Sequence, residues 1–266
     1  MKKKIRTWIK KRTISFYHLM VKILPVQKKV ILFESNLGRN YTGNPRAIYE
    51  EMIRHGLDKD YQCVWFFENP GQKIPGNGKV VKRARLTYLF YMAIGQVWVF
   101  DCRQPEFLIK RKETYYIQTW HGTPLKKLAL DMEQIDPIVS DSIEEYHEAF
   151  RKNTATWDYL ISQNTFSTEI FRRCFAFEEK PILEVGYPRN DILFRRNKPE
   201  YIRRLKEKYE LPLDKKVILY APTWRDNESY SQGRYKFVSP LDFDKAREEL
   251  GDEYIFLVKY HYLVAD

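Results

Sequence analysis

Acidic residues are missing from the first 29 positions, where Lys2, Lys3, Lys4, Arg6, Lys10, Lys11, Arg12, Lys22, Lys28 and Lys29 stand without one Asp or Glu. Taking these 29 from 266 residues, and ten charges from the formal +11, leaves 237 residues that carry only +1. A nearly neutral body argues against the broad basic surface of a nucleic-acid-binding protein. Cysteine is scarce as well. Cys63, Cys102 and Cys174 are odd in number, scattered and without any C-x-x-C or Cys/His ligand spacing, which argues against a disulfide framework or a zinc site and fits a reducing cytoplasm. Long apolar runs are absent too: the longest, Leu86–Phe100, has 15 residues and includes Thr87 and Gln96, whereas a spanning helix needs about 20. His18 and Lys22 interrupt the apolar stretch near the amino terminus, and no small-x-small site follows, so a secretory leader is not expected. Asn36–Asn44 holds Gly38 and Gly43 but neither G-x-G-x-x-G nor a P-loop pattern. No dinucleotide, ATP or other cofactor is therefore expected, and the two glycines read as keeping a loop open toward a cleft.

What is present is the composition of a folded protein, 44% hydrophobic with 15% aromatic residues. Residues 1–29 form one section. In it Ile5, Trp8, Ile9, Phe16, Leu19, Met20 and Ile23 recur at helical spacing until Pro25, with most cations on other faces. A basic amphipathic helix carrying Trp and Phe suits an anionic membrane surface, where each cation adds about 1 kcal/mol. The competing reading is a solvated tail that packs its apolar stripe on the body. From Val30 onward strands and helices alternate: Val30–Phe33, Tyr61–Phe67, Val80–Val81, Val97–Asp101 and Trp157–Ser162 read as strands, with helices near Pro45–His55, Arg85–Ile94, Ser142–Lys152 and Thr165–Phe175. Thr165 is the expected cap of the last. This rhythm predicts an α/β fold built on a parallel sheet. The polar stretch Arg195–Pro199 marks a boundary between residues 30–194 and a second unit, residues 200–266, with helices Glu200–Tyr209 and Leu241–Leu250, strands Lys216–Tyr220 and Tyr254–Lys259, and a loop running to about Pro240. Only two strands are visible in that second unit, so it is expected to be an incomplete sheet that is loosely ordered or completed by another chain.

The chemistry gathers after predicted strands. Tyr115–Leu128 reads YYIQTWHGTPLKKL, a β-branched and aromatic run that stops at Trp120-His121-Gly122 and is followed by Lys126 and Lys127. A histidine at the carboxyl end of a strand can act as a base, and nearby lysines can hold phosphate oxygens, although a lone His can also simply cap a turn. Gly186–Asp191, Pro222–Asp226 and Lys259–His261 stand in the same position after their strands. In open α/β sheets ligands bind beyond the carboxyl ends of the strands, which would bring these stretches together. Asp242-Phe-Asp244 has the form of a metal-binding D-x-D but opens a predicted helix, where Asp favours the backbone dipole, so it is read as a cap and no metal is expected.

WHGTPLKK at Trp120–Lys127 resembles the signature of the CDP-glycerol glycerophosphotransferases of wall teichoic acid synthesis. Ile182–Asp191 (ILEVGYPRND), Val217–Asp226 (VILYAPTWRD) and Ile255–His261 (IFLVKYH) are similar to the same family in the same order, and ILFESNLGRNYTGNPRAIY in Val30–Tyr49 is similar to its amino-terminal segment. The resemblance implies a GT-B-like pair of Rossmann-type domains facing a cleft: residues 30–194 for the acceptor, and 200–266 as part of the CDP-glycerol domain. It implies transfer of glycerol phosphate from CDP-glycerol to a lipid-linked teichoic acid acceptor, with release of CMP, at the cytoplasmic side of the membrane. His121 and His261 match the family's histidines and are the expected catalytic residues, His121 as the base that takes the hydroxyl proton and His261 near the donor phosphates, and Lys126, Arg189, Arg225 and Lys259 are the expected phosphate-binding cations. Family members normally continue past this point with a segment rich in nucleotide contacts, so the chain is also read as a fragment that need not be active alone. The alternatives are a related transferase of ribitol phosphate or of a sugar from a nucleotide donor, and a catalytically incomplete membrane-bound paralogue; a homo-oligomer is left open.

Overall fold

A computed structural model describes residues 2–135, 140–222, 229–231, 234, 235 and 238–260. The chain divides into two compact units, Met1–Asp191 and Ile192–Asp266.

The first unit opens with helix α1 (Lys2–Ile23), β1 (Gln27–Glu34), α2 (Gly43–Arg54), β2 (Gln62–Phe67), β3 (Lys79–Lys82), α3 (Leu86–Ile94) and β4 (Gly95–Phe100). It continues with β5 (Tyr115–Gln118), α4 (Ile143–Thr154), β6 (Tyr159–Ser162), α5 (Thr165–Cys174) and β7 (Ile182–Glu184). The seven strands form one sheet in the order β3-β2-β1-β4-β5-β6-β7, and every pairing is parallel. This is the doubly wound order, and it reverses direction between β1 and β4, where a crevice opens beyond the strand ends. The expected α/β class is what the chain adopts.

The central strands β1, β2 and β4 are buried on both faces along most of their length, so their sequences run apolar without alternating. Val30 and Leu32 point into a core shared with Tyr17, Met20 and Val21 of α1 and with Tyr88, Leu89 and Met92 of α3, while Ile31 and Phe33 point to the other face, with Tyr49 of α2 and Trp65 of β2. The period of two that separates these sets fixes the register of β1 between β2 and β4. Helix starts follow local chemistry. The Ser142 hydroxyl accepts the Glu145 amide at 3.1 Å at the start of α4, and the Asn164 side chain accepts the Ser167 amide at 2.9 Å at the start of α5. The cap of α5 is thus Asn164 rather than the expected Thr165, whose hydroxyl instead donates to Glu184 at 2.7 Å.

α6 (Asp191–Arg195) begins at the last residue of the first unit. In the second unit lie α7 (Pro199–Lys208), β8 (Lys216–Tyr220), β9 (Ser229–Ser231), β10 (Arg234–Tyr235), α8 (Phe243–Leu250) and β11 (Tyr254–Val258). β8 and β11 pair in parallel as the two strands expected there, and β9 with β10 adds an antiparallel pair inside what reads from sequence as a loop. The Asp242 carboxylate accepts the amides of Asp244 at 3.1 Å and Lys245 at 3.0 Å, which is the capping role expected for it.

Candidate active site

At the switch point, β1 runs into Ser35 and Asn36, and β4 into Asp101. The Asp101 carboxylate accepts the Ser35 hydroxyl at 2.5 Å and the Asn36 amide at 2.8 Å, so one buried side chain ties the two strand ends together. Gly43, with φ of 71°, leads into α2 against this pair: a Cβ there would stand 3.1 Å from both the Asp101 carboxylate and the Ser35 hydroxyl. Gly38 is packed as closely, with its carbonyl accepting the Glu68 amide at 2.8 Å. The two glycines therefore let backbone and side chains approach each other, and the expected open loop is a tight one. Below it, buried Glu34 accepts Arg83 Nε and Gln104 Nε2, each at 2.7 Å. Burial pushes the Glu34 carboxyl up, and the Arg83 charge opposes that shift.

β5 ends beside β4, and its continuation makes the turn that carries His121. Trp120 has a positive φ of 50°. That conformation is a genuine outlier for a bulky residue, and outliers of this kind cost about 1–3 kcal/mol and persist only where their surroundings hold them. Here the surroundings are specific. The Trp120 ring is 8% exposed and packs on Phe175 and Phe171; its amide donates to Gln118 Oε1 at 3.0 Å; and its carbonyl accepts Asn44 Nδ2 at 3.1 Å. The next residue, His121, is turned outward to solvent and stacks on the Trp120 ring with 4.5 Å between centroids. Its Nδ1 lies 2.6 Å from the Asp101 carbonyl. A carbonyl only accepts, so Nδ1 carries the proton and the neutral ring keeps its free lone pair on Nε2.

The β7 end closes the site. Buried Tyr187 donates its hydroxyl to the Gly122 carbonyl at 2.9 Å, and burial raises the pKa of that hydroxyl. Arg189 follows in a single turn of 3-10 helix, exposed, with its guanidinium 5.2 Å from the centre of the Tyr187 ring and its amide 3.3 Å from Asn44 Oδ1. His121 and Arg189 therefore stand on turns joined through Asn44 and Tyr187. Lys126 is exposed and forms no ion pair with a described residue, whereas Lys127 is paired with Glu133. Lys259 is exposed directly after β11 in the second unit, its amide donating to the Tyr220 carbonyl at 3.0 Å. Arg225 and His261 lie outside the described residues. Among the described residues no three His, Cys, Asp or Glu side chains gather as a metal site.

A family model described as CDP-glycerol:poly(glycerophosphate) glycerophosphotransferase matches residues 16–266. The chain belongs to this family. It is 42% identical to a teichoic acid poly(glycerol phosphate) polymerase of Bacillus spizizenii, covering 100% of this chain and 68% of that protein. To the enzyme of the same name in Bacillus subtilis it is 44% identical, over 99% of this chain and 35% of that one. A structure of the wall teichoic acid polymerase TagF, in a variant soaked with CDPG, superposes with a TM-score of 0.87 at 43% identity, covering 98% of this chain and 63% of that one. The chain thus spans between about a third and two thirds of these relatives, and its α/β, GT-B-like fold class is theirs.

Sequence reading alone passed over Asn44, Asp101 and Tyr187. A carboxylate that ends an apolar strand, as Asp101 ends VWVFD, is the one local signal that was available.

Proposed function

We propose that the chain transfers glycerol phosphate from CDP-glycerol to a hydroxyl of a membrane-linked teichoic acid acceptor. The observation that carries this reading is the outward His121, held on a strained turn at the switch point with its Nδ1 proton engaged by a carbonyl. In the proposed step the acceptor hydroxyl oxygen attacks the glycerol-bearing phosphorus. Its proton passes to His121 Nε2, the bond from phosphorus to the bridging oxygen breaks, and CMP leaves with the electron pair. A positioned base of this kind contributes about 10²–10⁴-fold. Most of the remaining barrier in phosphoryl transfer is lowered by placement and by cations on the phosphoryl oxygens. Lys126 and Arg189 are assigned that role in the acceptor domain, residues 30–194, and Arg225 and Lys259 in residues 200–266, the part of the donor domain that this chain carries, where His261 is assigned as the second catalytic histidine.

Residues 1–29 are assigned to a peripheral membrane contact on the cytoplasmic side. Tyr17, Met20 and Val21 bury one face of α1 in the core, while Ile5, Trp8, Ile9, Phe16, Leu19 and Ile23 form an exposed apolar stripe beside exposed Arg6, Lys10, Lys11, Arg12 and Lys22. No described helix is long and apolar enough to cross a membrane. A helix with a wet apolar stripe flanked by cations is suited to lie in an anionic interface.

The test is incubation of the protein with CDP-glycerol labelled in its glycerol and a lipid-linked glycerol phosphate primer. Label transferred to the primer, with CMP released in equal amount, is the expected result. Turnover of CDP-ribitol in place of CDP-glycerol would overturn the choice of donor, and turnover of neither would favour the catalytically incomplete paralogue.

A further inference from the structure

Asn44 sits in the first turn of α2, 1% exposed, and both its amide nitrogen and its amide oxygen are engaged. Nδ2 donates to the Thr119 carbonyl at 3.0 Å and to the Trp120 carbonyl at 3.1 Å, and Oδ1 accepts the Arg189 amide at 3.3 Å. Only this orientation of the amide satisfies all three contacts. Turned over, the oxygen would face two carbonyls and the nitrogen an N–H. One neutral side chain therefore binds the backbone of the His121 turn on one side and that of the Arg189 turn on the other, over sequence separations of 75 and 145 residues.

We infer that Asn44 is the positioning residue of the transfer site: it holds Trp120 in its positive-φ conformation and so sets the ring of His121 and the distance from His121 to Arg189. The inference rests on the role proposed for His121. The requirement is for a double donor and an acceptor on one rigid, uncharged group. The Trp120 carbonyl also accepts the Thr119 hydroxyl, at 3.4 Å, so loss of the amide bears hardest on the Thr119 carbonyl, and a buried carbonyl left without a donor costs about 1–3 kcal/mol. The left-handed conformation of Trp120 costs a comparable amount, so without the amide the turn has every reason to relax. Relaxation would release the His121 ring from the Asp101 carbonyl, and with it the fixed tautomer.

The test reads the tautomer by histidine ¹⁵N NMR on the whole chain, with the His121 signal assigned by its loss in His121→Asn. In the parent, His121 should be in the Nδ1–H form. In Asn44→Asp, which keeps the shape but sets an oxygen against two carbonyls, and in Asn44→Ser, the signal should move toward the mixture of a free imidazole. Asn153→Ala removes another buried amide, whose Nδ2 donates to the Gln104 carbonyl at 2.7 Å; it should lower the melting temperature and leave the tautomer unchanged. In the glycerol phosphate assay, kcat of the Asn44 variants should fall by about 10²-fold, the scale of a misplaced reacting group, with KM for CDP-glycerol moving by less than about twofold. Folded Asn44 variants that retain the parental tautomer would overturn the inference. If neither variant folds, the parent decides: the Asn44 side-chain amide must be slow to exchange and show through-bond coupling to the Thr119 and Trp120 carbonyl carbons, and absence of both overturns it. A parent that transfers nothing would defeat the proposed function, while the tautomer would still judge Asn44.

Discussion

Nearly the same peptide occurs twice in this chain with different fates. Lys28–Phe33 reads KKVILF and Lys215–Tyr220 reads KKVILY, and both form the first strand of their unit after a helix. In β1, Val30 is 2% exposed and Leu32 0%; in β8, Val217 is 39% exposed and Leu219 63%. The local sequence is enough to make a strand, with two lysines at its mouth and a β-branched apolar run behind them. Burial is decided by neighbours. β1 has a partner strand on each side and helices over both faces, whereas the only described partner of β8 is β11. The first unit is accordingly rigid enough to hold a strained turn, and the chemistry assigned to it should be correspondingly sensitive.

The largest expected effect follows from that rigidity. His121→Ala should reduce transfer of glycerol phosphate by about 10²–10⁴-fold with only a small fall in the melting temperature, because the ring is exposed and its described contacts are the stacking on Trp120 and the Nδ1 hydrogen bond to the Asp101 carbonyl. Lys259→Ala, in the less buried second unit, should mainly raise KM for CDP-glycerol. Equal losses of kcat from both changes would place the reacting geometry equally in the two units and erase the contrast.

Burial itself can be tested at matched positions. Leu32→Ala should destabilise by about 2–5 kcal/mol, the cost of a cavity in a closed core, and Leu219→Ala by less than about 0.5 kcal/mol. Amide hydrogen exchange in β1 and β8 is the suitable measurement, because a chain of two units does not license one global free energy. Protection of β8 that falls as much in Leu219→Ala as protection of β1 does in Leu32→Ala would mean that Leu219 is covered in solution.

Helix α1 repeats the contrast within one element. Residues 5–12 are all exposed, while Tyr17 is wholly buried and its hydroxyl accepts the Ile109 amide at 3.1 Å. Removing the helix would therefore open the core, and the membrane reading is better tested by charge. Replacing Lys10, Lys11 and Arg12 together by Gln should weaken binding to anionic vesicles at low salt by about 10²-fold, from about 1 kcal/mol per cation. Unchanged co-sedimentation would assign the stripe to some other partner.

Most of the sheet was legible because strands buried on both faces announce themselves as apolar runs, and the His121 turn was legible because Gly122 and Pro124 punctuate it. The determinants of its geometry were not. Asn44 acts on the carbonyls of residues 119 and 120, and any residue can supply a carbonyl, so no pattern links the two segments. The positive φ of Trp120 runs against every local preference and is imposed by packing and by Asn44. Thr165 and Asn164 are both good caps standing side by side, and only the call of Glu184 on the Thr165 hydroxyl separates their roles. The glycines at 38 and 43 were visible, but whether a glycine opens a loop or lets it close depends on what stands opposite.

The smallest expected effect compares the surface of the first unit with its interior. Arg173 on α5 grips Asp131 through two hydrogen bonds, at 2.8 and 2.7 Å. Those bonds hold the Asp131 carboxyl below its ordinary value of 3.8. A carboxyl whose pKa is lower in the folded chain than in the unfolded one adds stability above the unfolded value and loses it as pH falls through the folded value. Arg173 is largely exposed and Asp131 is partly covered, so one side of the pair is wet and its contribution is small and screened by salt. Arg173→Met should lower the melting temperature by about 1–2 °C at neutral pH and low salt. The difference between variant and parent should shrink in high salt, and disappear once the solution is acid enough to protonate Asp131 in the folded protein. A difference that persists in acid, or grows there, would mean that Arg173 acts through its apolar stem packed on the surface rather than through its charge, and that even this exposed contact belongs with the buried half of the comparison.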